Sequence, residues 1–425
     1  MKINISRSDL SQSAVILLLI FNTVIGSISS YSAASLILKI ISSAFLLIAL
    51  YFQSYFNRIP VFPFLKSKSL LKIFYVLFLI IAYLAATLLY TSNLGYGLYK
   101  IINIIINVLP NVIAAYILLS ANKLFILNKI ITFSTIIIVS LLILILLLQP
   151  FDQSTIYKFS PGRWSHAIIG RLTSFITLII LLFSLIQFEL KKNIFYSFVY
   201  GAGVYLTYLT GLRSAFIGLI IFSIITLILK FIYSFRTPSH NHTTSQSSWP
   251  SSYFSGSFTI IILALVFILI MFAPSEFQSG KRFENLTKVE NLEFGKDDAI
   301  LVRLMSYELS LDIIKEHLLL GTGFGGFNGY NNIEWTRIGK YPHNIILEIL
   351  SELGIVGLLF FSTLLFITIK SIIKTGFSTI VIYYILITFL FSIWLAMWAK
   401  DISTQSFLWL FLAFLPASSY KNNNR

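Results

Sequence analysis

The sequence contains no cysteine, which excludes disulfides, zinc ribbons and thiol catalysis. Charge is scarce as well. Only 11% of the 425 residues are charged, against roughly 25% in soluble domains, and a soluble fold is excluded on that count. Acids are scarcest where a metal enzyme acting on a cytoplasmic nucleotide-sugar would need them. Of 16 Asp and Glu residues, twelve lie between Glu276 and Glu352, and the segments predicted to be cytoplasmic keep only Asp9 and Glu189. A hard cation is held by clustered carboxylates, which the inner segments do not supply, so any chemistry belongs on the outer face; no cofactor is expected.

What the chain has is apolar surface: 57% of its residues are hydrophobic. A spanning helix uses about 20 apolar residues. Apolar runs and polar breaks predict twelve spans, near 13–30, 31–52, 70–90, 101–120, 130–148, 168–188, 194–210, 214–235, 258–274, 344–369, 379–399 and 405–418. The expected fold class is therefore all-α, a polytopic integral membrane protein with one long periplasmic loop. Residues 1–274 hold the first nine spans, 275–343 the loop, and 344–425 the last three spans and the C-terminus. Lys2 and Arg7 before the run from Ser13 to Ser30 resemble a signal peptide, but a second long run follows at once, so the first reads as an uncleaved helix. The Ser/Thr/His-rich stretch from Arg236 to Ser257 is the low-complexity segment.

A net charge of +15 would suggest nucleic acid in a soluble protein. In a membrane protein it sets orientation instead, and no nucleic-acid partner is expected. With both termini cytoplasmic, the inner segments hold Lys2, Arg7, Arg58, Lys66, Lys68, Lys72, Lys123, Lys129, Lys191, Lys192, Lys230, Arg236, Lys370, Lys374, Lys421 and Arg425. The short outer loops hold few: Lys100, Lys158, Arg163, Arg213 and Lys400, with Arg171 just inside the sixth span and Lys39 within the second. The long segment from Ser275 to His343 then faces outward.

Within that segment, Leu304, Tyr307, Leu311, Ile314 and Leu318 recur at helical spacing, with Glu308, Asp312 and Glu316 on another side, which predicts an amphipathic helix over 300–320. Such a helix lies on the membrane surface or packs on the bundle. Arg303 stands with Tyr307 and Ser310 at i+4 and i+7 and is a candidate ligand-binding cation. Gly321-Thr322-Gly323-Phe324-Gly325-Gly326 formally satisfies G-x-G-x-x-G, but no βαβ context surrounds it. Its glycines serve either flexible backbone or close approach of backbone to a ligand.

The sharpest cluster is Tyr341-Pro342-His343-Asn344 leading into the tenth span. Pro342 and Asn344 suit a helix start, which puts His343 at the positive end of the helix dipole, where anions such as phosphate are favoured. Glu348 and Glu352 share one face below it, Glu352 about 13 Å deeper, and a carboxylate at that depth requires an interior partner or a function. Arg213, in the short turn between the seventh and eighth spans, breaks the charge asymmetry. It is either a headgroup anchor or a cation turned toward phosphate, which guanidinium grips with two hydrogen bonds. Arg163 and Arg171, flanking His166, invite the same pair of readings.

These residues resemble those of the O-antigen ligase and polymerase superfamily. The resemblance rests on Arg303, on Gly321-Thr322-Gly323-Phe324-Gly325, and on His343-Asn344 followed by Gly354, with Arg213-Ser214 and Arg282-x-x-x-Leu286 as further matching elements. Its specific part runs from about residue 207 to 357, the remainder matching in topology. It implies a bacterial inner-membrane enzyme that transfers a glycan from undecaprenyl diphosphate on the periplasmic face, without a metal, to lipid A core or to another lipid-linked repeat unit. Membrane lipid and a chain-length regulator are its implied partners.

A lipid diphosphate is an activated leaving group, so such a transfer needs cations for the departing charge and a base for the acceptor hydroxyl. On this reading Arg213 and Arg303, helped by Arg282 or Arg163, bind the diphosphate, and His343 activates or positions the acceptor. Asn344, Glu348 and Glu352 support it, Glu348 by orienting His343 or by binding sugar. The run from Tyr341 to Gly354 looks more like polymerase members than ligases. A lipid-linked oligosaccharide flippase or other transporter is the rival class, disfavoured because the cations gather at one face rather than along a central cavity.

Overall fold

The computed structural model describes residues 7–26, 33–57, 68–120, 132–133, 135–137, 139–140, 166–185, 190–210, 212–236, 298–330, 340–373, 379–398, 402–405, 408–409 and 412. In chain order these form α1 (Arg7–Gly26), α2 (Ala33–Asn57), α3 (Lys68–Thr87), α4 (Leu94–Ser120), α5 (His166–Ser184), α6 (Leu190–Leu209), α7 (Arg213–Arg236), α8 (Asp298–Glu316), α9 (Ile345–Ile373) and α10 (Thr379–Met397). Two 3-10 turns, Gly326–Tyr330 and Ile402–Thr404, complete them. No strand occurs among the described residues, in agreement with the all-α expectation. Helices at Ser35–Phe52, Arg213–Ile232 and Ile345–Lys370 are long and apolar enough to cross a membrane. The expected span at 258–274, most of those at 130–148 and 405–418, and the candidate residues Arg163 and Arg282 lie outside the described residues.

The chain divides into two compact units, one of Met1–Lys129, Asn291–Phe377 and Ser392–Arg425, the other of Ile130–Glu290 and Ser378–Phe391. In the first, α1, α2 and α4 pack around buried polar side chains. Asn22 of α1 donates to Asn111 Oδ1 of α4 at 2.8 Å, and Ser42 of α2 donates to Asn22 Oδ1 at 2.6 Å, with the Ser43 oxygen 3.1 Å from the same atom. In a membrane such bonds hold helices together where the hydrophobic effect between them is weak. Pro110 lies inside α4 and has no N–H for the carbonyl of Ile106. That carbonyl accepts the Ser43 hydroxyl at 2.6 Å instead.

Three sequence expectations change here. First, α4 begins at Leu94, not near 101, because Asn93 caps it by accepting the Tyr96 N–H at 3.0 Å. Gly95 and Gly97 weaken the apolar run in that first turn, which hid the helix start from a hydropathy reading. Lys100 is consequently a helix residue, fully buried, and not an outer-loop lysine. Second, α8 buries Ser306, Ser310 and Ile313, while Leu304, Leu311 and Leu318 are 52%, 50% and 47% exposed, so of the two placements expected for the apolar stripe these leucines do not take the one packed on the bundle. The serines bond their own helix carbonyls, Ser306 to Val302 and Ser310 to Ser306, both at 2.6 Å. They therefore pack closely without an unsatisfied hydroxyl.

Third, the tenth predicted span is a broken helix. Gly354 inside α9 has φ 64° and ψ −163°, a conformation open essentially to glycine alone. Beyond it, the Ile355 and Val356 amides bond the carbonyls of Leu318 and Leu319, at 3.0 and 3.3 Å, instead of their own helix. The Ser351 carbonyl, freed in turn, accepts both the Thr322 amide and its hydroxyl, at 3.0 and 3.1 Å. The segment following α8 thus fills the break and satisfies its polar groups, the condition for irregular backbone at membrane depth.

In the second unit, the Tyr200 hydroxyl of α6 donates to Ser223 Oγ of α7 at 2.8 Å, and Thr207 Oγ1 donates to Thr173 Oγ1 of α5 at 3.3 Å. Phe391 of α10 meets Phe175 and Phe222, with ring centroids 6.4 and 5.4 Å apart.

Candidate functional site

The site in the first unit starts with a helix cap. Asn344 Oδ1 accepts the amides of Ile346 and Leu347 at 3.0 and 3.2 Å, and its carbonyl accepts the Glu348 amide at 2.9 Å. This is the N-cap arrangement that the residue type predicts. His343 immediately precedes it with φ 60°, the positive-φ non-glycine residue among those described. A histidine held there costs about 1–3 kcal/mol that the surroundings must offset. Its ring lies 4.5 Å from that of Tyr341, between the buried Pro342 and the cap.

One and two turns into α9, Glu348 and Glu352 are both buried, 1% exposed, and both face Lys100 of α4. The Lys100 ammonium lies 2.5 Å from Glu348 Oε1 and 2.6 Å from Glu352 Oε2. It also stands 4.7 Å from the Phe324 ring centroid and 5.3 Å from that of Tyr96, favourable cation–π distances. Each carboxylate then holds a backbone amide. Glu348 accepts the Ile402 N–H at 3.0 and 3.1 Å through its two oxygens, and Glu352 Oε2 accepts the Gly325 N–H at 2.9 Å. Around one ammonium are joined α4, the first half of α9, the glycine turn and the 402–405 turn. The partner that depth demanded of Glu352 is Lys100, and the buried Glu348 is turned toward the same cation.

The glycine turn approaches protein backbone, not open space. A Cβ on Gly321 would come within 2.5 Å of the Glu352 carbonyl oxygen and the Leu353 amide, and Gly321, Gly323 and Gly325 all have positive φ. The turn is fastened to the α3–α4 connection. Thr91 donates to the Phe324 carbonyl at 3.1 Å, Ser92 to that of Gly326 at 2.7 Å, and Tyr90 to that of Leu320 at 2.9 Å. Neither sequence reading of the glycines included this role. Its signal was the run of positions that tolerate no side chain.

Arg303 lies half-buried in α8. Burial pushes the Tyr307 hydroxyl up from its ordinary value, and the charge of Arg303, one turn earlier, opposes the rise. Arg213 opens α7 in the second unit, after a turn whose Thr210 and Leu212 press on Gly170 of α5. The next residue, Arg171, is 5% exposed. Arg171 and Arg213 thus stand in the N-terminal parts of two neighbouring helices, α5 and α7. Among the described residues, no group of three His, Cys, Asp or Glu side chains gathers as a metal centre does.

Lys100 is the residue that sequence reasoning missed. Two signals pointed to it: a buried pair of acids in need of a cation, and a lysine that broke the inside–outside asymmetry. No curated protein matches the chain. Residues 197–362, which contain Arg213, Arg303, the glycine turn, His343, Glu348 and Glu352, match the family model described as O-antigen ligase, in line with the superfamily that the motifs resemble.

Proposed function

We propose that the protein is a membrane glycosyltransferase that moves a glycan from undecaprenyl diphosphate to an acceptor hydroxyl on the periplasmic face of the inner membrane. The observation that carries this reading is His343, held in a left-handed conformation directly before the capped start of a broken helix, within the family-matched residues. Strained residues of this kind concentrate at functional sites, and broken membrane helices are characteristic of binding sites near the membrane interior.

In this reading His343 accepts the proton of the acceptor hydroxyl as that oxygen bonds the anomeric carbon, and the diphosphate leaves with the electron pair of the bond that breaks. Imidazole suits the role because its ordinary pKa is near neutral. Arg303 stabilises the departing charge by directed hydrogen bonds, and the sequence motifs make Arg213, Arg282 and Arg163 further candidates for diphosphate binding. Glu348 and Glu352 act from behind the site, since both oxygens of Glu348 and Oε2 of Glu352 are engaged by Lys100, Ile402 and Gly325. No step is assigned to a metal.

The acceptor we favour is another lipid-linked repeat unit, which makes the enzyme a repeat-unit polymerase. Supporting this is the sequence around Tyr341-Pro342-His343-Asn344 and Glu352-Leu353-Gly354. The second reading is a ligase that joins the glycan to lipid A core, favoured by the description of the matched family. A deletion strain separates them on one gel of envelope glycolipid. Core bearing a single repeat indicates a lost polymerase, and bare core with accumulated lipid-linked polymer indicates a lost ligase. Purified protein given lipid-linked glycan tests the enzyme class itself: covalent transfer is expected, and bilayer crossing without transfer would make the protein a flippase.

A further inference from the structure

Lys100 lies outside the residues matched to the family, yet the first unit converges on it. Its ammonium is fully buried and engaged by two carboxylates one helical turn apart. Those carboxylates fix two separate backbone segments, at Gly325 and Ile402. Both carboxylates stand in the part of α9 before the Gly354 break, the short half-helix whose cap begins one residue after His343.

A half-helix of some nine residues is too short to hold its own orientation. Across the break its backbone hydrogen bonds are lent to other segments: Ser351 bonds Thr322, and the Leu353 carbonyl accepts the Tyr83 hydroxyl at 2.8 Å. Rotation of the half-helix about its axis therefore depends on side chains at positions 348 and 352. Both point to one atom, Lys100 Nζ. A second link runs to the same place, because Asn103, one turn after Lys100, donates to Ser403 Oγ at 3.3 Å and accepts from the buried Lys39 ammonium at 2.9 Å.

We propose that Lys100 is a positioning residue, a clamp that sets the rotation of the α9 half-helix and ties it to the glycine turn and the 402–405 turn, so that His343 is held in its reactive place. It touches no substrate in this scheme. The kinetic arm of the proposal rests on the glycosyltransferase reading above; the clamp itself does not.

The test compares the wild-type chain, Lys100→Met and Glu352→Gln, each full length and purified in lipid nanodiscs. Amide hydrogen exchange is followed over 321–326, 343–353 and 402–405, and transfer is followed with a polyprenyl-diphosphate-linked oligosaccharide. Lys100→Met is expected to speed exchange at Gly325 and Ile402 at least tenfold. It should lower kcat, counted per folded protein, at least tenfold while leaving KM for the donor within twofold; because loss of folded protein also lowers apparent kcat at constant KM, the folded fraction of each variant is fixed first by size-exclusion chromatography. Glu352→Gln is expected to loosen Gly325 while Ile402 stays protected. Should Lys100→Met fail to accumulate, Glu352→Gln alone decides the matter. Unchanged exchange at Gly325, or kcat within twofold of wild type, overturns the clamp. If the wild-type chain transfers no glycan, the functional reading fails and the exchange data still decide the clamp.

Discussion

Lys100 and Glu352 stand 252 positions apart in the chain and meet at 2.6 Å, with neither side chain more than 1% exposed. A buried pair of this kind is weak evidence for stability as such, because desolvation consumes much of its attraction. Removing one partner is another matter, since an uncompensated buried charge costs about 3–5 kcal/mol. The pair is thus a constraint on geometry more than a source of net stability.

His343→Ala is expected to lower glycan transfer by about 100-fold or more, the usual share of a general base, while the protein accumulates normally. Initial rates on purified protein check this. A wild-type rate at normal protein level would remove the base assignment.

Arg303→Lys keeps the charge of the side chain and loses its planar fork. The expected outcome is a rise of about tenfold in KM for the lipid-linked donor, the size of a lost charge-assisted hydrogen bond of about 1.5 kcal/mol. An unchanged KM would place the diphosphate elsewhere.

Gly354→Ala meets both a forbidden backbone and an occupied space. The conformation costs a non-glycine residue about 1–3 kcal/mol, and a Cβ would overlap the Leu319 carbonyl. Thermal unfolding in detergent should shift down markedly, with transfer lost in parallel. Wild-type unfolding would mean that the break is not required.

Asn344→Ala removes the side-chain oxygen that accepts the Ile346 and Leu347 amides. A loss of about 1 kcal/mol is expected, and Asn344→Asp, which keeps the cap, should restore it. Denaturant midpoints of the two variants make the comparison, and equal midpoints would deny the cap any role.

Asn22→Ala takes the nearer acceptor from Ser42 and the donor from Asn111 Oδ1. A buried group left unpaired costs about 1–3 kcal/mol, so the denaturant midpoint of this variant should fall by an amount of that size. A midpoint near wild type would show that water or rearranged side chains satisfy the network.

Much of the molecule was legible along the chain because the forces concerned act within a few residues. Apolar runs of sufficient length dictate helices wherever water is absent, and a short polar side chain before such a run dictates its start, as at Asn344. His343 and the two acids below it were legible for the same reason: their spacing alone placed them on one helix with a known depth. Packing between distant segments overrode the rest. The exposed leucines of α8, the break at Gly354 filled by Leu318 and Leu319, and the glycine turn pressed on the Glu352–Leu353 peptide all depend on which backbone comes to lie against which. Lys100 shows the division most plainly. That Glu352 needed an interior partner or a function followed from its depth in the sequence pattern, since a lone buried charge is too costly to keep. That Lys100 supplied it followed only from the packing of α4 against α9, which no local rule along the chain encodes.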